Sequence, residues 1–195
     1  MDDLRREIHR VLAVDPTSRG FGFAVLEGPA RLIDWGIRDT RRADSQAAHR
    51  EVTSLLDRYA PDSLVLEDTS DDGSRRRTRV RSLIETLRAE ADRRGITVVA
   101  ISRRRVQAAF RGANASTKHA IAGTIAEHFP ELESRLPPRR KPWMSEDARS
   151  STFDAVSFAL AHYLEAIDMV AAAAPVIHGI AKRPQSETGP ERRHY

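Results

Sequence analysis

The chain has 195 residues, 40% of them hydrophobic, and a formal net charge of +4. That length suits one domain of about 100–200 residues, with a core large enough to need no disulfide or structural metal. It has no cysteine, which excludes a disulfide scaffold, thiolate-bound zinc or iron–sulfur, and a cysteine nucleophile.

In chain order, MDDLRREIHR is charged from its second residue and has no apolar run behind a basic start. No signal peptide is expected, and a cytoplasmic location is. Val11–Asp15 (VLAVD) is a short apolar run closed by a carboxylate. Gly20–Leu26 (GFGFAVL) follows a five-residue loop, Pro16–Gly20, and Ala30–Ile37 (ARLIDWGI) follows Gly28-Pro29. These predict three hairpin-linked strands. Residues 43–59 predict a helix, with Ala47, Val52, Leu55, Leu56 and Tyr59 at helical spacing and Pro61 as the stop. Ser63–Glu67 (SLVLE) predicts a buried strand, again ending in a carboxylate, and the polar segment 68–78 a loop. Residues 80–94 predict a helix with Leu83, Ile84, Leu87 and Ala91 on one face, and 96–102 (ITVVAIS) a fifth strand. Helices are expected at 104–110 and 116–129, a Pro/Arg-rich loop at 136–143, and a last helix from about residue 146 to 173. The apolar stretch 155–174 is broken by His162, Glu165 and Asp168, so it reads as a buried helix, not a membrane span.

The order β-β-β-α-β-α-β-α-α implies an α/β fold: a mixed five-stranded sheet, three antiparallel strands then parallel β/α units, with helices on both faces. Residues 1–174 are expected to form the domain. Residues 175–195, rich in Pro, Gly and charge, are expected to be a flexible tail.

Three carboxylates stand out by position. Asp15 and Glu67 end strands, where side chains of an α/β sheet converge on a ligand. Asp154 lies in FDAVSFALAH, among Phe153, Val156, Phe158, Ala159 and Leu160, so its turn packs on the sheet. An acid beside such a face is costly unless paired. Three hard oxygen donors, without cysteine or a ligand-spaced histidine pair, suit Mg²⁺ or Mn²⁺ and not zinc. After Asp15, the small residues Thr17, Ser18, Gly20 and Gly22 leave room for a backbone or a phosphate to approach. Of the 32 basic residues only Lys118, Lys141 and Lys182 are lysine. The arginines cluster at Arg75-Arg76-Arg77, Arg103-Arg104-Arg105 and Arg139-Arg140-Lys141, a pattern suited to phosphate contact, although a charge run also serves as a solvated face.

Four colinear segments carry a family resemblance. VLAVDPTSRGFGFAVL resembles the first hairpin of the RuvC-type Holliday-junction resolvases of the RNase H-like superfamily, whose pattern is a hydrophobic strand followed by D-P-G-S-x-x-T-G-x-A. SLVLE resembles the strand that ends in their catalytic Glu. VQAAFRGANASTK resembles V-x-x-x-V-x-G-x-G-x-A-x-K, with Val106, Gly112 and Lys118 in register. DAVSFALAH resembles the final helix, D-A-L-A-I-A-x-x-H. The resemblance implies a DNA endonuclease of recombination and repair in which Asp15, Glu67 and Asp154 hold two Mg²⁺ or Mn²⁺ ions. It also implies that Lys118 stands near the scissile phosphate, a role to be weighed against that of a helix N-terminal surface lysine.

The chain departs from the family in three places. A fourth acid or histidine belongs three residues before the last Asp, where this chain has Ser151. Asp147, seven residues before Asp154, or the adjoining Glu146 could replace it through a bent helix start; the same residues also read as a helix cap with acids in the first turn. The loop after Glu67 (DTSDDGSRRRTR) has no aromatic, and the following helix is charged on its outer face, so a homodimer is left open but unsupported. Trp143, amid PPRRKPW, is read as a core anchor in preference to a base-stacking platform. His162 lies about 12 Å along the helix from Asp154 and reads as packed or capping, not as a ligand. Three readings stay open: a nuclease for DNA, perhaps branched; a nuclease for RNA or structured strands; and a nucleic-acid-binding module whose acid set is incomplete. An actin-like ATP-binding protein is disfavoured, because the chain is too short for two such domains and lacks a second phosphate-binding hairpin.

Overall fold

The computed structural model describes residues 9–40, 44–70, 78–139, 143 and 147–178, with side chains of the last helix described to residue 167. Three strands, β1 (Arg10–Thr17), β2 (Gly20–Glu27) and β3 (Leu32–Asp39), precede α1 (Ser45–Tyr59) and β4 (Ser63–Glu67). Then come α2 (Thr78–Arg93), β5 (Thr97–Ile101), α3 (Arg103–Ala109), α4 (Lys118–His128) and α5 (Ser150–His178), with short 3₁₀ turns at Arg111–Ala113 and Pro130–Arg135. The sheet order is β3-β2-β1-β4-β5. The first three strands are antiparallel, and β4 and β5 join parallel to β1. This is the expected mixed sheet.

Strand periodicity divides the core into two layers. Leu12, Val14, Phe21, Phe23, Val25, Leu64 and Leu66 point to one face and are covered by α1 and α2. Val11, Ala13, Ala24, Leu26, Val65 and Ile101 point to the other, under α3, α4 and α5. Asp15 and Glu67 continue the odd-numbered series, so both emerge on the α5 face.

Two boundaries differ from expectation in ways that matter. The first hairpin is not closed by a five-residue loop. β1 and β2 stay paired to Thr17↔Gly20, leaving a two-residue turn, so Asp15 lies within β1 opposite Gly22. Asp15 does mark the end of the parallel pairing, one residue past Val14↔Leu66. The second difference is that α5 begins at Ser150, not near 146, and its backbone stays helical past Pro175 to His178.

The glycines after Asp15 serve the approach of backbone. Gly20 has φ +149°, and a Cβ there would lie 1.9 Å from the Arg38 carbonyl oxygen on β3. A Cβ at Gly22 would lie 2.2 Å from the Ser151 carbonyl carbon and 2.6 Å from the Thr152 nitrogen. The first turn of α5 therefore sits directly on β2, and Thr152 Oγ1 fastens it by donating to the Gly36 carbonyl (3.1 Å).

The chain divides into two compact units, 1–165 and 166–195. The first holds the sheet, α1–α4 and the start of α5. The second is described as the helix of 166–178, with side chains to residue 167; most of the expected tail, 179–195, lies outside the described residues. Among the described residues no helix is long and apolar enough to cross a membrane.

Candidate active site

The parallel register of β1 and β4 sets Asp15 and Glu67 side by side on the α5 face. The seat of α5 on Gly22 brings Asp154, one turn into the helix, above them. All three are buried: Asp15 is 2% exposed, Glu67 3% and Asp154 8%. Carboxylates buried this deeply require a compensating charge.

Arg103 supplies such a charge. Its Nη1 donates to Asp154 Oδ1 (2.7 Å) and its Nη2 to Asp154 Oδ2 (3.1 Å). Its Nε donates to Glu67 Oε1 (3.3 Å), and Nη2 lies 3.9 Å from Asp15 Oδ1. The guanidinium also lies over the Phe158 ring, 5.1 Å from its centroid. Arg103 is the first residue of α3, which Ser102 caps by accepting from the Arg105 N–H. The N-terminus of a helix disfavours a cation, so the three carboxylates, not the helix, hold the guanidinium there. They raise its pKa further above the ordinary arginine value, against the opposing effect of burial.

Lys118 joins the cluster. It opens α4, and its Nζ donates to Asp154 Oδ2 (2.9 Å). Burial pushes the Asp154 carboxyl up, but Arg103 and then Lys118 pull it further down, so it stays below the usual carboxylate range.

The remaining predicted residues fall elsewhere. Ser151 turns away, its Oγ donating to the Ala148 carbonyl (2.8 Å). Asp147 precedes α5, so it shares no helix face with Asp154; its carboxylate accepts from Arg149 Nε (2.9 Å) and Nη2 (2.7 Å). Arg149 holds its carboxyl below the ordinary range. Arg105 pairs with Glu165 (Nε to Oε1, 2.8 Å) and donates to the Ala100 carbonyl (2.5 Å). Arg104 and Arg139 are exposed. Arg75, Arg76, Arg77, Arg140, Lys141 and Glu146 lie outside the described residues.

Trp143 corrects the sequence reading: it is 79% exposed and anchors no core. Its Pro/Arg-rich segment supplies no periodic apolar neighbours to bury it. His162 packs against His9 (5.7 Å between ring centroids) and Tyr163, as a packed histidine should. The residue whose place the sequence did not reveal is Arg103, read there only as one of an arginine cluster suited to phosphate contact. The register Glu67↔Ile101 held the missing signal, because it sets the chain two residues after Ile101 beside Glu67.

The donors suit a hard divalent ion, since all are carboxylate oxygens. Their arrangement does not. They are spread around a guanidinium, and among the described residues no three His, Cys, Asp or Glu stand together as metal ligands. The cluster in this form fits an organic cation.

The sheet order, the α5 helix laid across it and the acids carried by β1 and β4 define an RNase H-like fold. The particular likeness is to RuvC-type Holliday-junction resolvases, as the motifs suggest. A 66-residue stretch is 36% identical to crossover junction endodeoxyribonuclease RuvC of Akkermansia muciniphila, covering 30% of this chain and 40% of that protein. The match thus spans less than half of the curated relative. The Thermus thermophilus RuvC structure superposes with a TM-score of 0.62 at 19% identity, over 82% of this chain and 96% of that one. T. thermophilus RuvC in complex with Holliday junction substrate gives 0.60 at 19% identity, over 82% and 96%. The yeast mitochondrial Holliday junction resolvase Ydc2 gives 0.53 at 12% identity, over 86% and 85%. No family model matches the chain.

Proposed function

We propose that this chain is an endonuclease that hydrolyses phosphodiester bonds in DNA, with branched, Holliday-junction-like DNA as its substrate. One observation carries the reading: three buried carboxylates from β1, β4 and α5 meet at one point of an RNase H-like sheet, with Lys118 beside them. The RuvC-like segment and the T. thermophilus RuvC complex with a Holliday junction support the choice of substrate.

In this reading Lys118, half-exposed beside Asp154, offers a point charge to the phosphate. The exposed Arg104 and Arg139 contribute to backbone attraction, as do Arg75, Arg76, Arg77, Arg140 and Lys141. Asp15, Glu67 and Asp154 are the carboxylates that would hold Mg²⁺ or Mn²⁺ once Arg103 has withdrawn. Asp147 could join them only by giving up Arg149.

A second reading, a DNA-binding module without hydrolysis, has its own observation in its favour. Ser151 stands where the family carries a fourth acid or histidine, and its hydroxyl is committed to Ala148.

The test is a labelled panel of four-way junction, linear duplex, single-stranded DNA and RNA–DNA hybrid, incubated with Mg²⁺, Mn²⁺ or EDTA. Asp15→Asn runs beside the wild-type chain. Metal-dependent junction cutting abolished by Asp15→Asn is the expected result, and symmetric cuts would reveal a homodimer. Cutting confined to the hybrid would move the substrate to RNA. Junction binding without Asp15-dependent cutting would leave the binding module.

A further inference from the structure

We infer that Arg103 is a built-in counter-cation of the acid cluster, and that its guanidinium and a divalent cation occupy the cluster in alternation. The inference rests on the acids being those of the proposed nuclease, and it adds what controls entry of the ion.

Three observations carry it. First, one planar group is within 4 Å of all three carboxylates: 2.7 Å from Asp154, 3.3 Å from Glu67 and 3.9 Å from Asp15. It fills the space between them, so an ion and the guanidinium cannot both lie there. Second, the formal charges favour exchange. Three carboxylates face Arg103, and a divalent ion in its place would bring them one more positive charge than the guanidinium does. Third, Arg103 has a way out. Its side chain is 27% exposed against 2% for Asp15 and 4% for Glu67, so solvent reaches it more readily than it reaches either acid.

A long side chain with several rotatable bonds can leave without moving the backbone of α3. Two ligands that exclude each other from one site weaken each other's apparent affinity, here by the factor with which the guanidinium holds the cluster. The wild-type chain is therefore expected to bind a divalent ion weakly in the absence of DNA, with Arg103 setting the threshold.

The experiment measures Mn²⁺ binding to the full chain without nucleic acid, by the electron paramagnetic resonance of free Mn²⁺ and by calorimetry. Arg103→Gln is expected to bind Mn²⁺ at least tenfold more tightly than wild type. Arg103→Lys, which keeps the charge but cannot span three carboxylates, should fall between. Mn²⁺ should also raise the melting temperature of Arg103→Gln more than that of wild type. Adding Asp154→Asn should abolish the gain, which ties it to this cluster. A folded Arg103→Gln that binds Mn²⁺ no more tightly than wild type overturns the inference, as does a gain that survives Asp154→Asn. If Arg103→Gln does not fold without the ion, Arg103→Lys decides by the same comparison. The two proposals fail separately: tighter Mn²⁺ binding without cleavage of any substrate sinks the nuclease reading alone, and cleavage with unchanged Mn²⁺ affinity sinks this one alone.

Discussion

Arg103 and Asp154, 51 positions apart, meet fork to fork, with Nη1 2.7 Å from one carboxylate oxygen and Nη2 3.1 Å from the other. Paired planar groups of this kind are stronger and more directional than a lysine contact. Removing one partner of a buried pair leaves the other uncompensated, at about 3–5 kcal/mol, whereas an exposed pair is worth about 1 kcal/mol or less. Arg103→Gln in the ion-free chain is accordingly expected to lose about 3 kcal/mol in urea denaturation. A loss under 1 kcal/mol would mean that the acids are not dependent on it.

Gly22 makes a different prediction. A methyl group there would meet the backbone of Ser151 and Thr152, which cannot rotate aside. Gly22→Ala should destabilise the fold by about 2–3 kcal/mol and, by lifting α5, lower cleavage as well. Gly123, inside α4 with nothing within 4 Å of its would-be Cβ, is the contrast. Gly123→Ala should stabilise by about 0.5–1 kcal/mol through helix propensity alone. Thermal melts of the two variants test both signs.

Lys118→Ala should separate chemistry from stability. Its side chain is 51% exposed, so the loss of its Asp154 contact should cost about 1 kcal/mol or less in a melt. On the proposed function, with Lys118 beside the reacting phosphate, its loss should slow junction cleavage about 10²-fold under saturating substrate. Equal losses of binding and rate would make it a surface lysine that holds DNA.

Tyr163 predicts an alkaline transition. Its hydroxyl donates to the His9 carbonyl (2.6 Å) and accepts from the Gly28 N–H (3.1 Å), fastening α5 to the far end of the hairpin. Burial pushes the phenol up to about 12. A raised folded-state value means that the protonated form stabilises the fold fully below the unfolded value near 10, and that this contribution fades as pH rises towards 12. Wild type should therefore lose stability between about pH 10 and 12, and Tyr163→Phe should lose that part of the pH dependence. At pH 7 the variant should be about 1 kcal/mol less stable, with junction cleavage unchanged.

The acids were legible because each has a local signature. VLAVD and SLVLE are apolar runs closed by a carboxylate, and Asp154 interrupts an apolar helix face. The sheet follows from the same runs. What stayed hidden depends on pairing across the chain. Thr17 and Ser18 read as loop because both are polar, yet Thr17 extends β1 since β2 is there to receive it. Arg103 is indistinguishable from Arg104 and Arg105 until the β4–β5 register shows which of the three adjoins Glu67. Trp143 misled in the opposite direction: an aromatic residue suggests burial, but a Pro/Arg-rich segment cannot build a core around it.

The contact at Gly22 divides the site mechanically. The strand opposite Asp15 and the first turn of the helix that carries Asp154 are pressed main chain on main chain at Gly22. Arg103 reaches the two acids on a flexible stem from the tip of a seven-residue helix. The cluster thus has a stiff frame and a compliant insert. Thermal motion on the timescale of side-chain rotation acts on the insert and leaves the spacing of the frame nearly constant. An exchange of cation of the kind inferred above would leave the two acids in register.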